Sequence, residues 1–484
     1  MTSRIRVRLG GLILFISNLL SFLFGFIFIV LVSRNLSQSD LGLWFYIGSI
    51  ITYFEFLVKV LPFWATRDFA RGRLIAKTSI TSSTIISMPL TLIFLSLSGI
   101  LSKSSQAPIH PFLVASLLIP IYYASSSINS IMYVRYPQKV GWRVPLIDGL
   151  KIPIALYFLP YGLTGVLVAV VIANLVYVMY GIYVIRREIE KSFDKDWLKS
   201  RIRHFWLPII QSAVGYVNSA SDQFLIGTLL SPLQLSTYGI GVTISNSVRA
   251  SSQLSLPFSM SVLSKTSTSR EEVSSIMKFV TIFVIPMLIG GIILSRELFG
   301  IFGPMYRDSA WILWPLLLFA VLTSYSTVLY GIISGLEKID YNLGADFKTL
   351  LRSKLFKLTL IDYGTTTILI VSSMITIPWL GTLGAAFSRL IAASISFTIL
   401  SIMCIEYLKL KRILEDVSLT VLACIPMSVY LISFKPSGTI LTLLTIMIAA
   451  IIYFTSLYII DREARKLIKE FLKEVSQRLL LLLE

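Results

Sequence analysis

The chain holds 484 residues, of which 55% are hydrophobic and 14% charged, with a formal net charge of +18. A soluble domain carries roughly 25% charged residues, and apolar runs of about 18–25 residues need hydrocarbon around them, so a soluble fold is excluded. The basic excess lies in short connections between those runs, which excludes a nucleic-acid surface and points to membrane topology.

The runs predict about 14 transmembrane helices of the length that a bilayer demands. In chain order they cover 9–33, 41–61, 78–101, 111–133, 144–160, 163–185 and 205–230, then 238–262, 276–296, 309–333, 357–377, 381–405, 416–434 and 438–460. The first run follows Arg4, Arg6 and Arg8. It is too long for a secretory signal and lacks a small-residue cleavage site, so it reads as a retained helix. The fifth run is short and carries Asp148, Lys151 and Pro153. Prolines recur inside the runs, among them Pro89, Pro208, Pro286 and Pro426, where each frees a backbone carbonyl and permits a kink. The longest connection, near Arg186 to His204, leaves no room for a separate soluble domain.

With the N-terminus inside, one side holds only Arg34, Lys103, Arg296, Arg307 and Lys435 in its loops. Nearly all other basic residues fall on the opposite side, which fixes both termini in the cytoplasm. From Asp461 onward Ala464, Leu467, Ile468, Phe471, Leu472 and Val475 follow helical spacing, with Arg465, Lys466, Lys469 and Lys473 off that face. This tail reads as an amphipathic helix on the anionic inner leaflet.

Two hairpins look alike. One turns at Leu36-Ser37-Gln38-Ser39-Asp40-Leu41-Gly42-Leu43-Trp44, the other at Leu230-Ser231-Pro232-Leu233-Gln234-Leu235-Ser236-Thr237-Tyr238. Gly162-Leu163-Thr164-Gly165 ahead of the sixth span is echoed by Gly381-Thr382-Leu383-Gly384 ahead of the twelfth. Spans 1–6 and 7–12 therefore read as two copies entering from the same side, a parallel repeat of the kind found in transporters. The expected organisation is a six-helix N-lobe over 1–190, a cytoplasmic linker over 191–204 and a six-helix C-lobe over 205–412. A helix pair over 413–460 and the tail over 461–484 complete it.

The stretch Arg34-Asn35-Leu36-Ser37-Gln38-Ser39-Asp40-Leu41-Gly42 resembles the first outer turn of polysaccharide flippases, a branch of the multidrug/oligosaccharidyl-lipid/polysaccharide exporter superfamily. Ser221-Asp222-Gln223-Phe224-Leu225-Ile226-Gly227, followed by Tyr238-Gly239-Ile240, resembles that family's seventh-span pattern, with Gln223 where the family often has Arg. The resemblance implies an all-α integral membrane protein that flips polyprenyl- or dolichyl-(pyro)phosphate-linked oligosaccharide to the outer leaflet by alternating access. It also implies that the last helix pair shapes a groove for the lipid tail.

An ionisable residue at the centre of a span costs roughly 2.5–3.5 kcal/mol on insertion scales, so it is kept where it lines water, pairs, or works. The candidates are Glu55, Lys59, Asp222, Arg249 and Arg389. Glu55 and Lys59, four apart, would share a helix face, either as a local ion pair or as a cavity wall with Lys59 meeting an anionic head group. The repeat offset carries position 55 onto Arg249. Arg249 either bridges to Asp222 within one hairpin or grips a phosphate bidentately. Arg389 either pairs between helices, snorkels outward or lines the same chamber. Asp148 and Lys151 read as solvated at the inner interface.

No phosphate-binding loop of the G-x-x-x-x-G-K-[ST] kind is present, and His110, His204, Cys404 and Cys424 lack partners at ligand spacing. No metal or cofactor is expected, and the chain reads as a transporter, not an enzyme. A multidrug or cation exporter would want acidic cavity residues. A membrane glycosyltransferase or polymerase would want outward acids or a large outer loop. The expected partners are the lipid-linked oligosaccharide and membrane lipids, with glycan-assembly enzymes nearby and the chain itself monomeric.

Overall fold

The computed structural model describes residues 20–252, 270–335 and 354–467. The first half of the first expected span, the end of the eighth and the tail beyond Leu467 lie outside the described residues. All regular structure among the described residues is helical. Nine helices there are long and apolar enough to cross a membrane, and Leu20–Asn35 is a shorter apolar helix. The segments that fall short of that standard include α2 (Gln38–Phe54) with α3 (Val60–Ala70), α10 (Trp206–Leu229) and α11 (Pro232–Ser252). These carry Glu55, Lys59, Asp222 and Arg249 at or within their ends. The polar residues that make them candidates also lower their hydropathy.

Between them run α4 (Ala76–Ser104), α5 (His110–Ser116), α6 (Leu118–Arg135), α7 (Lys151–Phe158), α8 (Gly162–Ile185) and α9 (Lys195–Arg203). After α11 come α12 (Arg270–Ile293), α13 (Ser295–Phe302), α14 (Leu313–Gly335), α15 (Lys354–Leu380), α16 (Thr382–Met403), α17 (Leu410–Ser433) and α18 (Thr439–Ile460). The chain forms two compact units, Met1–Ser236 and Thr237–Glu484. Large side chains such as Ile432, Ile440 and Ile451 are exposed, as lipid-facing residues should be. Trp311, Trp314, Trp379, Tyr157 and Tyr161 are exposed near helix ends, where aromatic rings meet the membrane surface.

The two glycine motifs fold alike. Gly162 and Gly381 take φ of +59° and +60°, values that favour glycine, and each turns the chain into a new helix. Three residues on, a Cβ at Gly165 would stand 2.0 Å from the Phe158 carbonyl oxygen, and one at Gly384 would stand 2.2 Å from that of Thr376. Each second glycine thus lets its helix press onto the backbone of the one before. Gly165→Ala and Gly384→Ala are each expected to cost about 1–3 kcal/mol through overpacking, read as a lower thermal midpoint in detergent. An unchanged midpoint would contradict the close approach.

In the first unit Leu61, Phe69, Ile128, Met132, Ile185 and Trp197 form a buried core. The segment expected as a linker carries α9, which docks on this core. Asp68 accepts the Trp197 indole N–H at 2.8 Å and both the Nε and Nη2 of Arg201 at 2.9 and 3.0 Å. Asp194 caps α9 through the Trp197 amide at 2.8 Å and pairs with Arg73 at 2.7 Å. The amide bond and then the guanidinium hold the Asp194 carboxyl below its ordinary range.

In the second unit α12, α17 and α18 share a core around Ile282, Met427, Tyr453 and Leu457. Lys278 of α12, only 4% exposed, meets Asp416 at 2.9 Å, Asp461 at 2.9 Å and Glu463 at 3.1 Å. Arg412 also reaches Glu463, at 2.8 Å. Asp461 ends α18 and caps the first turn of the tail, accepting the Glu463 and Ala464 amides at 2.9 and 3.0 Å.

Candidate functional site

The expected second span does not continue as one helix. Pro62 has no N–H for the Val58 carbonyl, and its ring would crowd that carbonyl in a continuous helix. The chain passes from α2 to α3 through tight turns, with Val58 N–H to Glu55 O at 2.8 Å and Val60 N–H to Leu57 O at 3.0 Å. The Tyr123 hydroxyl of α6 donates to the Phe54 carbonyl at 2.8 Å and satisfies a group at the helix end.

Glu55 and Lys59 flank this break. The i,i+4 rule that would pair them belongs to an unbroken helix, and no ion pair joins them. Glu55 is half-buried and Lys59 exposed. Glu55 instead lies in the field of two cations, Lys59 and Arg143. The phenol of Tyr122 interacts with Glu55, Arg143 and Asp148, and that of Tyr216 with Glu55. Arg143 immediately precedes a π-helical turn, Val144–Gly149. Such turns re-aim side chains and recur at functional sites.

Asp148 and Lys151 correct the expectation of interfacial solvation. Asp148 is buried, accepts Ser21 Oγ at 2.5 Å and Lys151 Nζ at 2.8 Å, and Lys151 also sits 4.9 Å from the Phe28 ring centroid. A buried carboxylate needs such partners, because desolvation otherwise costs several kcal/mol.

Asp222 is fully buried on α10 against α2. Its neighbour Ser221 accepts the Tyr53 hydroxyl at 3.3 Å, and Phe224 packs against Tyr46 and Tyr53 with ring centroids 6.0 and 5.3 Å apart. Asp222 interacts electrostatically with Tyr53. It belongs to this helix contact and is not presented to solvent.

The second unit brings Arg249 and Arg389 together. The Arg249 guanidinium stands 5.6 Å and that of Arg389 5.2 Å from the centroid of the Phe319 ring. Each places its charge against the aromatic face. Arg249 also donates to Asn246 Oδ1 at 3.1 Å, and it feels the Arg389 charge. The two like charges repel, the more so because the site is poorly solvated. Within its own unit no carboxylate among the described residues pairs with Arg249. The arrangement favours an anion able to engage both guanidinium groups.

Sequence reasoning missed Arg143, Tyr122, Tyr216 and Phe319. Phe319 looks like any core aromatic in an apolar run, and Arg143 like any interfacial basic residue. Only their neighbours mark them. Among the described residues no three His, Cys, Asp or Glu side chains gather as a metal site.

No protein-family model matches the chain, and no curated protein matches it. Among solved structures the chain is similar to the lipid II flippase MurJ in its inward closed conformation. The TM-score is 0.70 at 16% identity, over 94% of this chain and 99% of that one. It is also similar to a multidrug resistance MATE family transporter of the MOP superfamily in its inward-facing conformation. There the TM-score is 0.59 at 14% identity, over 80% of this chain and 95% of that one. These likenesses establish the fold that the sequence resemblance implied, an all-α polytopic membrane architecture.

Proposed function

We propose that this protein carries a lipid with a phosphate or pyrophosphate head and an attached oligosaccharide from the cytoplasmic to the outer leaflet by alternating access. The observation that carries the reading is the pair of guanidinium groups on Phe319, with no carboxylate of its own unit against Arg249 among the described residues. Guanidinium matches phosphate geometry bidentately and stays charged at every physiological pH. The likeness to a lipid II flippase supports a lipid substrate. The matched glycine turns support the repeat, with lobes over 1–190 and 205–412 and a helix pair over 413–460. We place the protein in a cytoplasmic membrane with both termini inside, acting as a transporter and not as an enzyme. It works as a monomer supplied by glycan-assembly enzymes.

The rival reading is a cation or drug exporter, supported by the likeness to a multidrug transporter. Clustered guanidinium groups would repel such a cargo. Proteoliposomes separate the two. Purified protein is expected to make a fluorescent polyprenyl-phosphate sugar accessible to an external quencher faster than empty vesicles do, and to leave a cationic dye gradient unchanged. Dye movement without lipid flipping would overturn the proposal.

A further inference from the structure

In the second unit a cavity of about 890 Å³ opens beside Lys278, among α12, α17 and the end of α18. Small-molecule sites run from roughly 300 to 1,000 Å³. The cavity lies where the apolar run of α18 stops at Ile460 and charge begins with Asp461 and Arg462. The charged first turns of α17, with Lys411, Arg412 and Glu415, stand at the same level. That is where a bilayer passes from hydrocarbon to head groups. Leu410 and Ile460, 57% and 43% exposed, give the cavity an apolar rim, and Leu414 and Ile459 beside them are more exposed still.

The charged walls divide into groups already paired and groups left open. Lys278 is held by Asp416 and Asp461, Arg412 by Glu463, and Lys409 by Glu271. Lys411, Arg462 and Glu415 line the same cavity and are exposed. Their side chains make no ion pair or hydrogen bond among the described residues. Asp416, also on the wall, buries its Oδ2 without a hydrogen-bond donor. A simple anion would answer Lys411 and Arg462 but meet repulsion from Glu415, and a simple cation the reverse. A group carrying phosphate and a primary ammonium together answers both.

We propose that this cavity binds the head group of an ethanolamine phospholipid from the adjoining leaflet. Lys411 and Arg462 take the phosphate, and Glu415, with Asp416 Oδ2 behind it, takes the ammonium, which has three N–H groups to donate. The acyl chains leave over Leu410 and Ile460 into the bilayer. The site is separate from the proposed transport site, since Arg249, Phe319 and Arg389 do not line it. Arg462 opens the tail, whereas Lys411 and Glu415 belong to α17, so a bound head group ties the tail to the last helix pair.

The test is equilibrium binding of short-chain phosphatidylethanolamine, phosphatidylcholine and phosphatidylglycerol to the full chain in detergent. Phosphatidylethanolamine is expected to bind about tenfold or more tighter than phosphatidylcholine, whose methylated nitrogen donates no hydrogen bond, the range of one charge-assisted contact. Glu415→Gln should erase that preference while leaving phosphatidylglycerol binding no weaker. Arg462→Ala and Lys411→Ala should weaken all three lipids about tenfold. Because these side chains are exposed and unpaired, each variant should keep its lipid-free thermal midpoint. Soluble phosphoethanolamine, which has the head group without chains, should bind more weakly than the lipid. Equal binding of phosphatidylethanolamine and phosphatidylcholine, or a preference that survives Glu415→Gln, overturns the proposal. So does phosphoethanolamine binding as tightly as the lipid, or lipid affinity within twofold of the unaltered protein in both Arg462→Ala and Lys411→Ala.

Discussion

Lys278→Met is expected to destabilise the protein by about 3–5 kcal/mol, the cost of leaving a buried charge without its partner. Lys278 is the hub for Asp416, Asp461 and Glu463, at 2.9, 2.9 and 3.1 Å. Asp416 and Asp461 are themselves buried, so removing the ammonium leaves two carboxylates in a poorly solvated site. Methionine keeps much of the volume, which isolates the charge from the packing. The thermal midpoint in detergent should fall by several degrees. Adding Asp416→Asn and Asp461→Asn should recover most of it, since a neutral cluster no longer needs the cation. A midpoint unchanged in Lys278→Met would show that the cluster is not holding α12, α17 and the start of the tail together.

The same cluster predicts an acid limit. Burial alone would raise the Glu463 carboxyl, but its bonds and charge interactions with Lys278 and Arg412 outweigh that and hold it below its ordinary value. A depressed carboxyl contributes stability above its unfolded pKa, about 4.3 for Glu. That contribution is lost as pH falls through the lower folded value. Stability should therefore decline in this window below about pH 4.3, and Glu463→Gln should flatten that part of the profile. An identical acid profile in the variant would remove Glu463 from the effect.

Arg249→Ala is expected to abolish lipid flipping while leaving the protein folded in the membrane. A hydrogen bond to a charged group is worth about 1.5–3 kcal/mol, so losing one bidentate phosphate contact should weaken binding by about 10- to 100-fold. Arg249→Lys keeps the charge but loses the fork, and it should retain partial transport. Arg389→Ala removes a like charge from the same ring, so it should weaken the phosphate contact without making Arg249 easier to replace. Undiminished flipping in Arg249→Ala would take Arg249 out of the mechanism. The three variants together separate recognition of phosphate geometry from simple attraction to positive charge.

Much of the architecture was legible in the chain because it rests on local chemistry. Run length and hydropathy depend on consecutive residues, so the spans around α4, α8, α12 and α18 follow from composition alone. The paired motifs at Gly162 and Gly381 were visible because a positive φ restricts the residue type wherever it occurs. The same locality named Glu55, Lys59, Asp222, Arg249 and Arg389, since a charge within an apolar run stands out without knowledge of its neighbours.

What tertiary structure alone decided is who meets whom. Asp148 looked solvated until Ser21, more than a hundred residues away, was brought to it. Lys278 drew no attention because its three acids come from two distant segments. Arg249 and Arg389 come into one neighbourhood only because α14 sets the Phe319 ring against both. A carboxylate or guanidinium takes its meaning from charges within a few ångströms in space, and hydropathy along the chain carries no record of those distances. Hydropathy along the sequence determined which segments are long and apolar enough to cross a membrane; the packing of the helices decided which of the costly charges are neutralised in place, as Lys278 is by Asp416 and Asp461.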